Sequence, residues 1–161
     1  MDVNISMRPD AVAILNSDNR SEAKTAPKHH VLSRLSDLFA DVYSLDAAEI
    51  LEGLEQREAL GSTGFGNGVA IPHCRSAAVN RPTVALLKLE DPCDFAAADA
   101  MPVSLVFGLV SPENAGATHL HALAAVSRLL RDEPKLQALL DAEDAEALFA
   151  VLTNQFLRDA A

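Results

Sequence analysis

Apolar residues fall along this chain in two rhythms, one repeating every three to four positions and one running nearly unbroken, and these mark out helices and strands. A short apolar run, DAVAILN (10–16), predicts a first strand, and a polar loop, SDNRSEAKTAP (17–27), follows it. From Lys28 to about Ala40, Val31, Leu32, Leu35, Leu38 and Phe39 recur at helical spacing. A second helix is expected from Asp46, which is placed to cap it with Glu49 three residues on; Ile50, Leu51, Leu54 and Leu60 mark its buried side, and Gly61 is a natural stop.

Beyond a glycine-rich stretch, TVALLKL (83–89) and PVSLVFGLV (102–110) predict two strands, the second so continuously apolar that both its faces must be covered. The segment SPENAGA breaks this pattern, and THLHALAAVSRLLRD (118–132) resumes a helical period. Two shorter helices are expected at EPKLQALLD (133–141) and DAEALFAVLTNQF (144–156). Strands enclosed by helices at both ends of the sequence predict an α/β layered fold: a single domain, with a mixed β-sheet flanked by helices on both faces.

Composition narrows the function classes. A length of 161 residues suits one domain, and 49% hydrophobic with 22% charged residues excludes wholesale disorder. The core is expected to be aliphatic, because aromatic residues are only 4% and tryptophan is absent. A formal charge of -10 makes the average surface repel phosphate backbones and anionic headgroups, so no nucleic-acid partner is expected. Nor does any uncharged apolar run reach the ~18 residues of a membrane helix, so no membrane insertion is expected and the chain is read as cytoplasmic. Cys74 and Cys93 lack CxxC spacing, which fits reduced thiols better than a disulfide frame or a zinc knot.

The chemistry-bearing stretch is GSTGFGNGVAIPHCR (61–75). It lacks the lysine of a P-loop, and its glycines are spaced GxGxG after a helix rather than GxGxxG after a strand, so neither common nucleotide-binding fingerprint applies. What remains is a backbone free to present amide groups to an anion, with Ser62 and Thr63 adding hydroxyls, or simply a sharp turn. Pro72 biases Ile71 toward extended geometry and gives His73 a defined exit direction. In an extended segment His73 and Cys74 point to opposite sides, which argues against a Cys/His dyad.

Among the other histidines, His29 and His30 flank a helix start and read as solvated. His119 and His121 sit two apart on a helix and cannot face one site. His121 lies with Ala125, Arg128 and Asp132 on a polar side; His119 lies with Ala122, Leu123, Val126 and Leu130 on an apolar side, hydrogen-bonded in the core or aimed into a cleft. Arg57, in the last turn of the second helix, either complements the helix dipole or reaches an anion held by the glycine stretch.

The segment QREALGSTGFGNGVAIPHCR resembles the IIA domain of the bacterial phosphoenolpyruvate:sugar phosphotransferase system, fructose/mannitol type 2, and is most like its stand-alone nitrogen-regulatory branch. The pattern is carried by Arg57, Glu58, Ser62, Thr63, Gly64, Gly66, Gly68, Ala70, Pro72 and His73. A second block, LVFGLVSPENAGATHLHALAAVSRLLRD, carries an HL pair that assigns His119; Cys74 departs from the small residue usual at its position. The resemblance implies an EIIA type 2 domain over 10–156, between an N-terminal extension (1–9) and a C-terminal tail (157–161). It implies that His73 accepts a phosphoryl group from an HPr-type carrier loaded by enzyme I. Arg57 then has an electrostatic role and His119 that of a neighbour, while Ser62, Thr63 and the amides of Gly64, Gly66 and Gly68 bind the phosphoryl oxygens. No cofactor or metal is implied. The partners would be the upstream carrier and regulatory targets such as transporters or sensor kinases. A sugar-uptake IIA serving a separate IIB, and a binding module indifferent to phosphorylation, are the competing expectations.

Overall fold

The computed structural model describes residues 5–16 and 28–160, with backbone alone at 154–160, so the expected loop at 17–27 lies outside the described residues. Strand β1 (Val12–Leu15) follows a 3-10 turn at Pro9–Ala11, and helices α1 (Lys28–Tyr43) and α2 (Ala47–Leu60) come next. Three short strands, β2 (Gly64–Gly66), β3 (Val69–Ala70) and β4 (His73–Ser76), lead to the long strands β5 (Thr83–Cys93) and β6 (Val103–Pro112). Helices α3 (Ala117–Arg131), α4 (Glu133–Asp141) and α5 (Ala145–Ala160) complete the chain.

The sheet is mixed, in the order β1-β5-β6-β3-β2, and β4 also pairs with β6. Strand β6 runs antiparallel to β5 and parallel to both β3 and β4. Alternation along β5 divides the core as a pleated strand covered on both sides must. Ala85, Leu87 and Leu89 join the cluster built with α1 and α2, whereas Val84 and Leu86 join the one built with α3, α4 and α5. The expected layered α/β arrangement is therefore the one found.

Local differences have physical causes. The buried stripe of α2 runs through Ile50 and Leu54 to Glu58, at successive steps of four, and Leu60 falls off it, 84% exposed. Asp46 caps the helix by accepting from the amides of Ala48 (3.0 Å) and Glu49 (3.4 Å). Glu49 does not close a capping box; it accepts the Ser76 hydroxyl at 2.8 Å and ties the start of α2 to β4. On α3, Ala125 is buried along with Ala122, Val126 and Leu130 rather than sharing a polar side with His121. Strand β5 continues past residue 89 through a register irregularity between Lys88 and Cys93, where Glu90, Asp91 and Pro92 conceal it from a hydrophobicity pattern. Residues assigned to the N-terminal extension touch the domain: the Ser6 amide donates to the Pro82 carbonyl at 2.7 Å, and Ile5 and Met7 pack on the α3 side. Helix α5 crosses the expected boundary at 156.

Candidate functional site

Strands β3 and β4 are two pieces of one ribbon beside β6, interrupted at Ile71-Pro72. Proline has no amide hydrogen to give the ladder, and the chain resumes pairing at His73, opposite Leu109. The Ile71 carbonyl meets the imidazole of His73, whose Nδ1 lies 2.8 Å away. A carbonyl only accepts, so Nδ1 carries the proton and Nε2 the lone pair. The guanidinium Nε of Arg57 donates to that Nε2 at 3.2 Å.

Arg57 is held at both ends of this reach, since its Nη1 donates to the Gly61 carbonyl at 2.8 Å. The two roles considered for it coexist: it satisfies a carbonyl at the C-terminus of α2 and presents a cation to His73. Helix α2 approaches β4 closely at Gly53, where an added Cβ would stand 3.0 Å from the Cβ of Cys74. Gly53 is one helical turn before Arg57, and the close approach helps bring the guanidinium within reach of His73, the strand residue just before Cys74.

On the other side stands His119, from the first turn of α3. Its ring centroid is 5.4 Å from that of His73, with the planes inclined by 49°. His119 is buried and its Nδ1 lies 2.7 Å from the hydroxyl oxygen of Ser111, on β6. Burial lowers the imidazole of His119 to about 4, aided by His73 and Arg75. Burial also lowers His73 from its ordinary value; the Ile71 carbonyl opposes this, and Arg57 reinforces it. Both rings are thus neutral near pH 7, and a neutral imidazole is a nucleophile.

The glycine-rich stretch is a β-hairpin rather than a loose loop. Asn67 and Gly68 both have positive φ (57° and 82°), as the tight turn between β2 and β3 demands, and Asn-Gly supplies that conformation cheaply. Asp99 pins the tip, accepting from the amides of Asn67 at 2.9 Å and Met101 at 3.0 Å. Ser62 donates its hydroxyl to the Phe95 carbonyl and accepts the Gly64 amide at 2.9 Å. Thr63 is buried, with its hydroxyl and its amide (2.8 Å) both on Glu58. The hydroxyls expected to face an anion therefore already have protein acceptors.

Structure thus brings together His73, Arg57 and His119, and adds residues the sequence reading did not single out for the site. Glu58 is a buried carboxylate that takes Lys28 Nζ at 3.0 Å as well as Thr63. Arg75 lies two residues beyond His73 on β4 and acts electrostatically on His119; the two-residue spacing on a strand was its signal. Ser111 and the Ile71 carbonyl had no such signal. His29 donates to Glu55 on α2, and His30 is half-buried with Nε2 unpartnered, so the latter is not the solvated residue expected. Burial pushes the Cys74 thiol up to about 12, leaving it protonated. Among the described residues no helix is long and apolar enough to cross a membrane.

A family model described as "Phosphoenolpyruvate-dependent sugar phosphotransferase system, EIIA 2" matches residues 15–155. The chain is 42% identical over 128 residues to a nitrogen regulatory protein of Pseudomonas aeruginosa, covering 79% of this chain and 83% of that protein. Another protein of the same description, from Bradyrhizobium diazoefficiens, is 40% identical over 129 residues, covering 80% and 84% respectively. Among solved structures, the nitrogen regulatory protein IIA-Ntr of Neisseria meningitidis superposes with a TM-score of 0.77 at 35% identity, covering 91% of this chain and 96% of that one.

Proposed function

The chain belongs to the EIIA type 2 family of the phosphoenolpyruvate-dependent sugar phosphotransferase system, and on that premise we propose that His73 is its phosphoryl acceptor. The protein is a phosphocarrier of the nitrogen type. It takes the group from an HPr-type phosphohistidine protein, itself loaded by enzyme I, and its two charge states engage regulatory targets such as transporters or sensor kinases differently.

The observation that carries this reading is the hydrogen bond from His73 Nδ1–H to the Ile71 carbonyl, which leaves the Nε2 lone pair toward Arg57. In the transfer, that lone pair forms the new N–P bond as the donor's N–P bond breaks, and the breaking bond's electron pair returns to the donor imidazole. Positive charge developed on the His73 ring is stabilised by the Ile71 carbonyl. As the group arrives, Arg57 exchanges its bond to Nε2 for a phosphoryl oxygen; a fixed guanidinium suits that developing charge without large reorganisation. His119 flanks the same oxygens. Ser62 and Thr63 reach the phosphoryl group only by giving up their present acceptors. Phosphorylation adds about -1.5 to -2 of charge beside two neutral rings, a local change large enough to alter docking.

Incubation with phosphoenolpyruvate, enzyme I and an HPr-type carrier should yield acid-labile phosphate mapping to Nε2 of His73. Label at another residue, or none on a carrier-competent sample, would overturn the assignment.

A further inference from the structure

We propose that Ser111 sets the tautomer of His119, holding the ring proton on Nε2, the nitrogen left for the phosphoryl site. This rests on His73 being the acceptor, and it identifies a positioning residue on β6 for that reaction.

The argument starts from what each partner can do. The side-chain oxygen of Ser111 is 2.7 Å from His119 Nδ1, and Ser111 is fully buried. A neutral imidazole has one N–H and one lone pair, whereas a hydroxyl is both donor and acceptor. Were Nδ1 protonated, it would donate to Ser111, and the hydroxyl's own proton would then need an acceptor. Among the described residues the Ser111 hydroxyl has no hydrogen-bond partner but His119. Buried hydroxyl protons are rarely left unpaired, so the satisfied arrangement has Ser111 donating to Nδ1. Nε2 must then carry the ring's proton.

His73 has the opposite solution. Its Nδ1 faces a backbone carbonyl, which cannot donate, so its proton is on Nδ1 and its lone pair on Nε2. With centroids 5.4 Å apart, the two rings become complementary: one offers a nucleophilic lone pair, the other an N–H for a phosphoryl oxygen. Among the described residues Ser111 is the hydrogen-bond partner of the His119 ring, so it is the group whose direction of donation selects the tautomer. Because burial keeps this ring neutral at ordinary pH, its single proton has to be placed by a partner rather than duplicated by protonation. Strand register does the placing: Ser111 lies opposite Arg75, two positions along β6 from the partner of His73, on the side covered by α3.

Nitrogen-15 NMR of the imidazoles in the unphosphorylated wild-type protein reads the tautomer directly and does not depend on transfer. The expected spectrum shows His119 protonated at Nε2 and His73 at Nδ1; His119 protonated at Nδ1 would overturn the proposal. Ser111→Ala should move proton occupancy at His119 toward Nδ1 and lower kcat for phosphorylation by an HPr-type donor about tenfold, with KM unchanged. Ser111→Thr should restore both. An unchanged tautomer and rate in Ser111→Ala, or equal losses in the alanine and threonine variants at wild-type circular dichroism, would reduce Ser111 to packing. If the alanine variant does not fold, the wild-type spectrum still decides. A protein with the expected tautomers that takes no phosphate on His73 would count against the functional reading and leave the placement of the proton standing.

Discussion

The two flanks of His73 are built from opposite materials. Toward α2 lie charged groups whose positions are fixed by protein partners: Arg57 between His73 and Gly61, and Glu58 among Lys28 and both polar groups of Thr63. Toward α3 the nearest side chains are a neutral buried imidazole and a hydroxyl, joined by a single hydrogen bond, with the Arg75 cation acting on that imidazole from β4. The difference separates two duties that a phosphoryl site must combine. A rigid cation stabilises charge wherever it develops, whereas a neutral donor contributes only if its proton is on the correct atom.

The largest effect should come from removing the charged flank. Arg57→Ala is expected to slow transfer to His73 about 100-fold, the magnitude seen when one preorganised donor to a developing charge is lost. Circular dichroism should stay that of the wild type, because Arg57 lies at the exposed end of α2. Arg57→Lys should recover little, since an ammonium cannot serve both the Gly61 carbonyl and the site through a planar fork. A rate within twofold of wild type in Arg57→Ala would remove the cation from the mechanism and shift the burden to the α3 side.

Next comes the carboxylate behind that flank. Glu58→Ala should destabilise the fold by about 3 kcal/mol, because it strands the amide and hydroxyl of a buried Thr63 and leaves Lys28 unpaired. Chemical denaturation measures this, and Glu58→Gln should lose less by keeping an acceptor for Thr63. A loss below about 0.5 kcal/mol in the alanine variant would show that the hairpin holds its position without Glu58, and the contrast between the flanks would be smaller than the geometry suggests.

Acid should act on the neutral flank. His119 titrates in the folded protein at about 4, below its ordinary 6.5, so between those values the unfolded chain binds more protons than the folded one. Stability therefore falls as pH drops from 6.5 toward 4, by an amount of the order of 2 kcal/mol once solvent reaching the site is allowed for. His73, also lowered, adds in the same direction. Replacing His119 with glutamine should flatten that part of the pH-stability curve measured by denaturant midpoints. An unchanged slope would mean the ring is not held neutral by burial.

How much of this was legible in the sequence follows from how far each feature depends on distant contacts. Periodicity marks the helices and the long strands because each buries a face of its own; Val31 to Phe39 on α1 and the unbroken run of β6 need no partner to be read. The hairpin has a local signal too, Asn67-Gly68, but Gly64 and Gly66 erase the alternation of β2 before it, and β3 after it is too short, at two residues, to show any. Arg57 and His73 are close in sequence and were readable as a pair. Ser111 was not: a serine at the end of an apolar strand acquires its role only through the β4–β6 register and the placement of α3. Glu58 was legible as part of the family pattern, but its burial was not, because a glutamate in a helix ordinarily faces water and only the Thr63 and Lys28 contacts make burying it tolerable.

The smallest predicted effect is the sharpest test of the α3 flank. His121 has the same chemistry as His119 and lies two residues away, about 200° around the helix. If proximity along the chain or general basicity were what mattered, either ring would serve. If the hydrogen bond to Ser111 and the 5.4 Å approach to His73 are what matter, only His119 can. His121→Ala is therefore expected to change the transfer rate less than twofold and stability by under about 0.5 kcal/mol, as for most surface substitutions, while the same exchange at His119 slows transfer at least tenfold. Equal losses at the two positions in a stopped-flow phosphorylation assay would contradict the geometry of this helix and with it the division between a charged flank and a neutral one.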